Sequence, residues 1–193
     1  LGVALEYESV LGFRTQGNGF QVTTDCAVRE CRALVIATGL QHRTLGLPGE
    51  EALVGQGISY CAVCDGPFYA GKPVAVVGGG DTALQDALFL SGICSQVTLI
   101  HRRGEFRGAQ RLAEQVRARD NIRCWMDSTV EAIHAQEDRL TGLTVHNRIT
   151  GTDHPLEVEG LFIAVGQQPQ NAPFAGLLAL DEAGYLLAGE DCK

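Results

Sequence analysis

The spacing of apolar and polar residues changes character several times along the chain. Gly17-Asn18-Gly19 signals a turn, and Phe20-Gln21-Val22-Thr23-Thr24 then alternates as a half-buried strand does. Arg32 to Ala37 is a mostly apolar run ending at Thr38-Gly39, which predicts a buried strand. A second such run, Lys72 to Val77, stops at Gly78-Gly79-Gly80. From Asp81 to Ser91 the period lengthens: Ala83, Leu84, Ala87, Leu88 and Leu90 recur at helical spacing, and Gly92 ends the helix. Gln96 to Ile100 reads as another strand. Ala109 to Ala118 reads as another helix, with Leu112 and Val116 on its apolar face. Strand, glycine loop, helix, strand, helix is a βαβ unit, for which a right-handed crossover is expected.

Beyond Asn121 the pattern becomes short strands bounded by turns: Ile122 to Met126, Thr129 to His134, Leu140 to Asn147 and His154 to Val158. Gly142 weakens the third of these. Leu161 to Val165 is again a buried-strand run, ending at Gly166. The expected fold is therefore α/β, with a parallel sheet of Rossmann type and an antiparallel β-strand segment. Two stretches, Gln41 to Gly49 and Gly166 to Pro173, read as crossings between domains. Two crossings imply an inserted domain, 44–170, with 1–43 and 171–193 belonging to a second one.

Composition narrows the classes. Of 193 residues, 45% are hydrophobic and 20% charged, as in ordinary soluble domains. No apolar run approaches the roughly 18 residues that a bilayer span needs. Leu1 to Glu8 has no basic segment followed by an apolar stretch, so it does not read as a signal peptide. It also lacks an initiator Met, from which a piece of a longer product is expected. The net charge of -8 argues against a nucleic-acid partner. Basic residues cluster once, at His101-Arg102-Arg103, Arg107 and Arg111, which suits a small anionic ligand. The chain has seven cysteines. Cys26, Cys31, Cys94, Cys124 and Cys192 are dispersed, and are expected to be free thiols that pack as small hydrophobes in a reducing compartment.

Gly78-Gly79-Gly80-Asp81-Thr82-Ala83 fits G-x-G-x-x-G/A at the place where that fingerprint works, after a strand and opening a helix. Gly78 permits the tight turn. Gly80 lets backbone approach a pyrophosphate, and Ala83 lets helix and strand pack closely. The helix start then offers free N–H groups and partial positive charge to phosphates. At the end of the next strand an NAD site would favour an acidic residue for the ribose 2′-hydroxyl. This chain instead has His101, Arg102, Arg103 and Arg107, which can bind a 2′-phosphate. Glu105 is the one dissenting charge.

Cys61-Ala62-Val63-Cys64-Asp65-Gly66-Pro67 is the other chemical segment. C-x-x-C can supply two zinc ligands, two structural thiols or a redox dithiol. A structural zinc site wants four ligands, and no second C-x-x-C is present; Cys26 and Cys31 have four residues between them. A redox pair needs one reactive thiolate and a resolving thiol. Asp65 reads either as a turn residue before Gly66-Pro67 or as a carboxylic acid that moves a proton to or from a sulfur.

Taken in order and spacing, four motifs resemble the bacterial low-molecular-weight thioredoxin reductases. They are C-x-x-C-D-G at Cys61 to Gly66, V-G-G-G-D-T-A at Val77 to Ala83, H-R-R-x-x-F-R at His101 to Arg107, and A-V-G-x-x-P at Ala164 to Pro169. Ala37-Thr38-Gly39 resembles the A-T-G strand end of that family's flavin domain. The resemblance implies an NADPH-binding domain inserted into a FAD-binding domain, of which 1–43 and 171–193 would be remnants. It implies electron flow from NADPH through FAD and the Cys61/Cys64 disulfide to thioredoxin. By analogy Cys64 lies nearer the flavin, Cys61 attacks thioredoxin and Asp65 is the general acid. Gly166 joins the nucleotide-binding set, the two crossings become hinges, and the protein is expected to be a cytoplasmic homodimer. The family's N-terminal flavin fingerprint and its C-terminal G-D segment do not occur in the chain. It is therefore expected to hold FAD weakly and not to turn over alone. Gln85 stands where relatives often have Glu. Two alternatives remain: the NADH-dependent flavoprotein subunit of alkyl hydroperoxide reductase, from which the arginine cluster points away, and a non-catalytic dinucleotide-binding module with structural cysteines.

Overall fold

The computed structural model describes residues 2–187, which fall into two compact units, 2–41 with 167–187 and His42–Gly166. In the first unit Val10–Gln16, Gly19–Thr24 and Val28–Cys31 form an antiparallel sheet in chain order. Phe13 of this sheet packs against Phe20 and against buried Phe174. Leu40–His42 and Gln167–Pro169 run side by side as a two-stranded ribbon.

The run from Arg32 to Ala37 corrects the sequence reading. It is not a strand, and Val35 is 88% exposed. An apolar run becomes a strand only beside a neighbour that takes up its N–H and C=O groups. No segment among the described residues pairs with this one. Cys26 is likewise exposed rather than packed, while Cys94 is buried and Cys31 and Cys124 are intermediate. Cys192 lies outside the described residues.

The second unit has three layers. Its centre is a parallel sheet in the spatial order Ile58–Ser59, Gly160–Ala164, Pro73–Gly78, Gln96–Ile100, Ile122–Trp125. Side chains alternate across a strand, so consecutive residues of one run serve opposite faces. Val74, Val76, Val97, Leu99 and Phe162 meet one face's helices. Asp81–Ser91 contributes Ala83, Leu84, Ala87 and Leu90 there, and Gln110–Arg117 contributes Ala113 and Val116. Ala75, Val77, Ile100, Leu161 and Ile163 face the other way. They pack on an antiparallel sheet of Ser128–Gln136, Arg139–Asn147 and Thr152–Glu157, through Val130, Leu143 and Val145. Burial on both faces explains why these strands read as unbroken apolar runs. Each fully buried Leu, Val or Phe contributes about 1.5–3 kcal/mol. Gly142 does not interrupt its strand; the register shifts beside it instead.

Candidate functional site: a glycine loop and a disulfide on one sheet edge

The Pro73–Gly78 strand leaves the sheet at its C-terminal edge and enters the Asp81–Ser91 helix through Gly79 and Gly80. Gly78 has φ +155°, and a Cβ there would lie 2.5 Å from Ala164 O and 2.6 Å from the Ala83 Cβ. This is the close strand–helix approach expected of the first glycine and of Ala83. At Gly79 a Cβ would fall 2.2 Å from the His101 ring, so imidazole fills the space a side chain would need. At Gly80 a Cβ would meet nothing within 4 Å. That gap opens in front of the helix start, whose N-cap position, Gly80, makes no side-chain cap bond. The first-turn N–H groups are thus free for an anion.

A cavity of about 460 Å³ lies over this loop. Gly78, Gly79, Gly80, Thr82, His101, Arg102, Arg107 and Gly166, all singled out in the sequence, line it. Asp81, Ala83 and Arg103 do not. Asp81 Oδ1 accepts a 2.6 Å bond from Ala109 N and so closes the start of the second helix. Ala83 is fully buried. Arg103 is exposed, and its carbonyl accepts from Asp127 N. Gln85 and Glu105 are exposed and outside the lining. The sequence reading missed Arg43, Thr44 and Leu45 on one wall and Thr129 and Val130 on another. Arg43 is placed by a 3.0 Å bond from its N–H to Gly166 O. Nothing local in the sequence ties that pair together.

The loop after Ile100 folds back over the glycines. Arg107 N and Gly108 N both donate to Gly79 O, at 2.7 and 3.0 Å. His101 is 5% exposed, with Nε2 3.0 Å from Glu105 O and its ring 5.6 Å from that of Phe106. Burial lowers its pKa below 6.5, the bond to Glu105 opposes this, and the Arg107 charge adds to it. Arg102, Arg103 and Arg107 belong to none of the ion pairs among the described residues. Their charge is available to a ligand.

The second chemical element leaves the same edge of the same sheet. Ser59 ends its strand in register with Phe162, which pairs with Val76. Cys61 therefore exits two strand positions from the glycine loop, roughly 10 Å across the sheet. Cys61 and Cys64 form a disulfide, with Cα atoms 5.3 Å apart. Cys61 caps the short helix Ala62–Asp65, its sulfur accepting from Cys64 N. Cys61 is half-buried and Cys64 exposed. Val63 and Phe68, beside them, are 67% and 77% exposed. Asp65 is half-buried, its Oδ2 accepting from Ser59 Oγ at 2.6 Å. A further residue that the sequence reading missed, Glu50, anchors the neighbouring loop. Its buried carboxylate accepts from the N–H groups of Leu45, Gly46 and Leu47 and from Tyr60 OH. Burial, then this bond, pushes the Tyr60 hydroxyl up to about 12. Among the described residues no cluster of three or more His, Cys, Asp or Glu could hold a metal ion.

A dinucleotide-type glycine loop and a C-x-x-C disulfide on one sheet edge define a nucleotide-linked disulfide protein. The chain belongs to the pyridine nucleotide-disulphide oxidoreductase family, whose profile matches residues 7–193. A thioredoxin reductase of Streptomyces clavuligerus is 45% identical over 168 residues, covering 86% of this chain and 52% of that protein. A glucosaminate ammonia-lyase of Pseudomonas fluorescens is 44% identical over 171 residues, covering 87% and 53%. The crystal structure of Lactococcus lactis thioredoxin reductase superposes with a TM-score of 0.83 at 32% identity, covering 96% of this chain and 61% of that one. The chain spans about half the length of the curated relatives it matches.

Proposed function

We propose that this chain is the NADPH-binding and redox-disulfide part of a thioredoxin-disulfide reductase. The observation that carries the reading is the pairing, on one sheet edge, of an arginine-rimmed glycine-loop cavity with the Cys61–Cys64 disulfide. Residues 44–170 form the NADPH-binding domain in this reading, with 1–43 and 171–193 belonging to the FAD-binding domain.

The cavity suits the nucleotide. Its volume falls in the range of roughly 300–1,000 Å³ found for small-molecule sites. The open space at Gly80 and the uncapped helix start receive the pyrophosphate, with the Thr82 hydroxyl beside it. Arg102 and Arg107 bind the 2′-phosphate, each through a charge-assisted hydrogen bond worth about 1.5–3 kcal/mol. His101 supplies shape rather than charge, since its ring fills the place above Gly79. The described residues of the smaller unit contain no glycine loop opening a helix of the kind that cradles a dinucleotide.

When bound, NADPH would supply two electrons as a hydride, and in this family FAD would stand between that hydride and the disulfide. Cys61–Cys64 accepts two electrons, and its cleavage needs two protons in all. Asp65, one helical turn from Cys61, is the proton carrier. The exposed Val63 and Phe68 give the turn an apolar surface to present to thioredoxin. No helix among the described residues is long and apolar enough to cross a membrane. A cytoplasmic homodimer is the assembly this reading favours.

The test is nucleotide oxidation by the full-length protein with thioredoxin disulfide as acceptor. NADPH is expected to outperform NADH by about 100-fold in kcat/KM, and an Arg102→Ala, Arg107→Ala double variant to erase most of that preference. Equal use of both nucleotides by the parent protein would refute the assignment of the arginines. Absence of thioredoxin reduction with either would refute the function.

A further inference from the structure

Asp65 is held in place by a residue that the redox motif does not include. Ser59 is 3% exposed at the end of the Ile58–Ser59 strand. Its Oγ donates to Asp65 Oδ2 at 2.6 Å and accepts from Cys61 N at 3.0 Å. Cys61 O also lies 3.3 Å from that Oγ. A hydroxyl has one proton to donate, and the shorter, carboxylate contact takes it. Cys61 O then serves as acceptor for Asp65 N, at 3.0 Å. Three hydrogen bonds thus tie Asp65 to the backbone of Cys61: the carboxylate through Ser59 Oγ to Cys61 N, and the Asp65 N–H directly to Cys61 O. Asp65 Oδ1 has no hydrogen-bond partner among the described residues.

We propose that Ser59 is a positioning residue for proton transfer at the Cys61–Cys64 disulfide. It pins one oxygen of Asp65 and leaves the other to carry the proton. This rests on the redox reading of the pair given above. The step balances with a small dithiol such as dithiothreitol. A reagent thiolate attacks one sulfur, the Cys61–Cys64 bond breaks, and the departing sulfur takes a proton through Asp65. The reagent's second thiol closes its ring disulfide and releases the other cysteine. Two electrons and two protons pass from reagent to protein, and water returns the proton to Asp65.

A carrier accelerates both directions and leaves equilibrium alone, whereas a purely structural bond favours one redox state. The experiment therefore measures both quantities in the full chain. Dithiothreitol reduction and oxidised-glutathione reoxidation are followed by thiol trapping, and the disulfide fraction is read in glutathione buffers. Ser59→Ala is expected to slow both directions by about tenfold and to change the equilibrium fraction by less than about twofold. Ser59→Thr, which keeps the hydroxyl, is expected to restore most of the rate. In an Asp65→Asn background, Ser59→Ala is expected to cost less than about twofold more. A shifted equilibrium with unchanged rates, or a full additional loss on top of Asp65→Asn, would overturn the proposal. A parent chain whose Cys61 and Cys64 never form a disulfide would remove the redox reading together with this one.

Discussion

Gly79 and Gly80 are neighbours of the same residue type, yet the structure assigns them opposite kinds of importance. An alanine Cβ at Gly79 would sit 2.2 Å from His101 Cε1 and Nδ1 and 2.6 Å from Cγ. Neither partner can step aside easily. The backbone of Gly79 is tied by Arg107 N and Gly108 N to its carbonyl. His101 is buried, bonded to Glu105 O, and fixed in the sheet by its N–H to Trp125 O. Overpacking of this kind costs about 1–3 kcal/mol, and displacing the ring forfeits a further hydrogen bond of about 1 kcal/mol. Gly79→Ala should therefore lose about 2–4 kcal/mol, a drop in Tm of roughly 5–15 °C for a chain of this size. Gly80→Ala is the control. Its φ of −92° is open to any residue, and the added methyl meets nothing. Its stability cost should stay under about 1 kcal/mol, the size of a helix-start effect. The methyl does enter the space given to the pyrophosphate, so NADPH affinity should fall about tenfold or more. Guanidinium unfolding can be followed through Trp125, the chain's one tryptophan, which adjoins His101. Calorimetric titration gives the affinity. Equal stability of the two variants, or undiminished NADPH binding by Gly80→Ala, would refute the geometry of the loop.

Two pH-dependent predictions follow from groups of opposite sign. His101 has a folded pKa below 6.5, chiefly through burial, so the unfolded chain binds more protons as pH falls past that value. Its share of stability is present above pH 6.5 and lost on acidification, and His101→Gln should flatten that part of the stability curve measured by denaturant titration. Asp86 is half-buried and its pKa is raised to about 6 from 3.8 by burial, so the folded chain holds the proton longer and stability falls as pH rises through that window. Asp86→Asn should gain about 1–2 kcal/mol at pH 7, after allowance for partial exposure, and nothing below about pH 4.

The parts of this protein legible in its sequence are those whose determinants lie within one turn or one strand. The helix over Asp81–Ser91 could be read because its apolar period and its bounding glycines are local. Pro73–Gly78 and Gln96–Ile100 could be read because burial on both faces leaves a continuous apolar run. The Arg32–Ala37 run is comparably apolar and forms no strand, since composition says nothing about whether a neighbour is present to complete the ladder. Hydrophobic runs report a tendency to be buried, and the partner decides whether that tendency is met.

The site divides along the same line. Motif spacing pointed to the glycines, His101 and Arg107, which line the cavity, because a loop that must turn tightly and expose its N–H groups admits few residue types. Spacing fixes position along the chain and not side-chain direction. Asp81 lies inside the fingerprint but turns to cap Ala109 N, 28 residues on. Arg103 lies inside the basic cluster but outside the cavity, while Arg43, far upstream, reaches it through a backbone bond to Gly166. Ser59 and Glu50 carry no signature at all. Each is a buried polar group, and a buried polar group must find a partner or incur a penalty of about 1–3 kcal/mol. Their partners, Asp65 and Tyr60, flank the disulfide on either side of the turn. The C-x-x-C turn is thus hydrogen-bonded in place on its sheet edge by polar residues outside the motif.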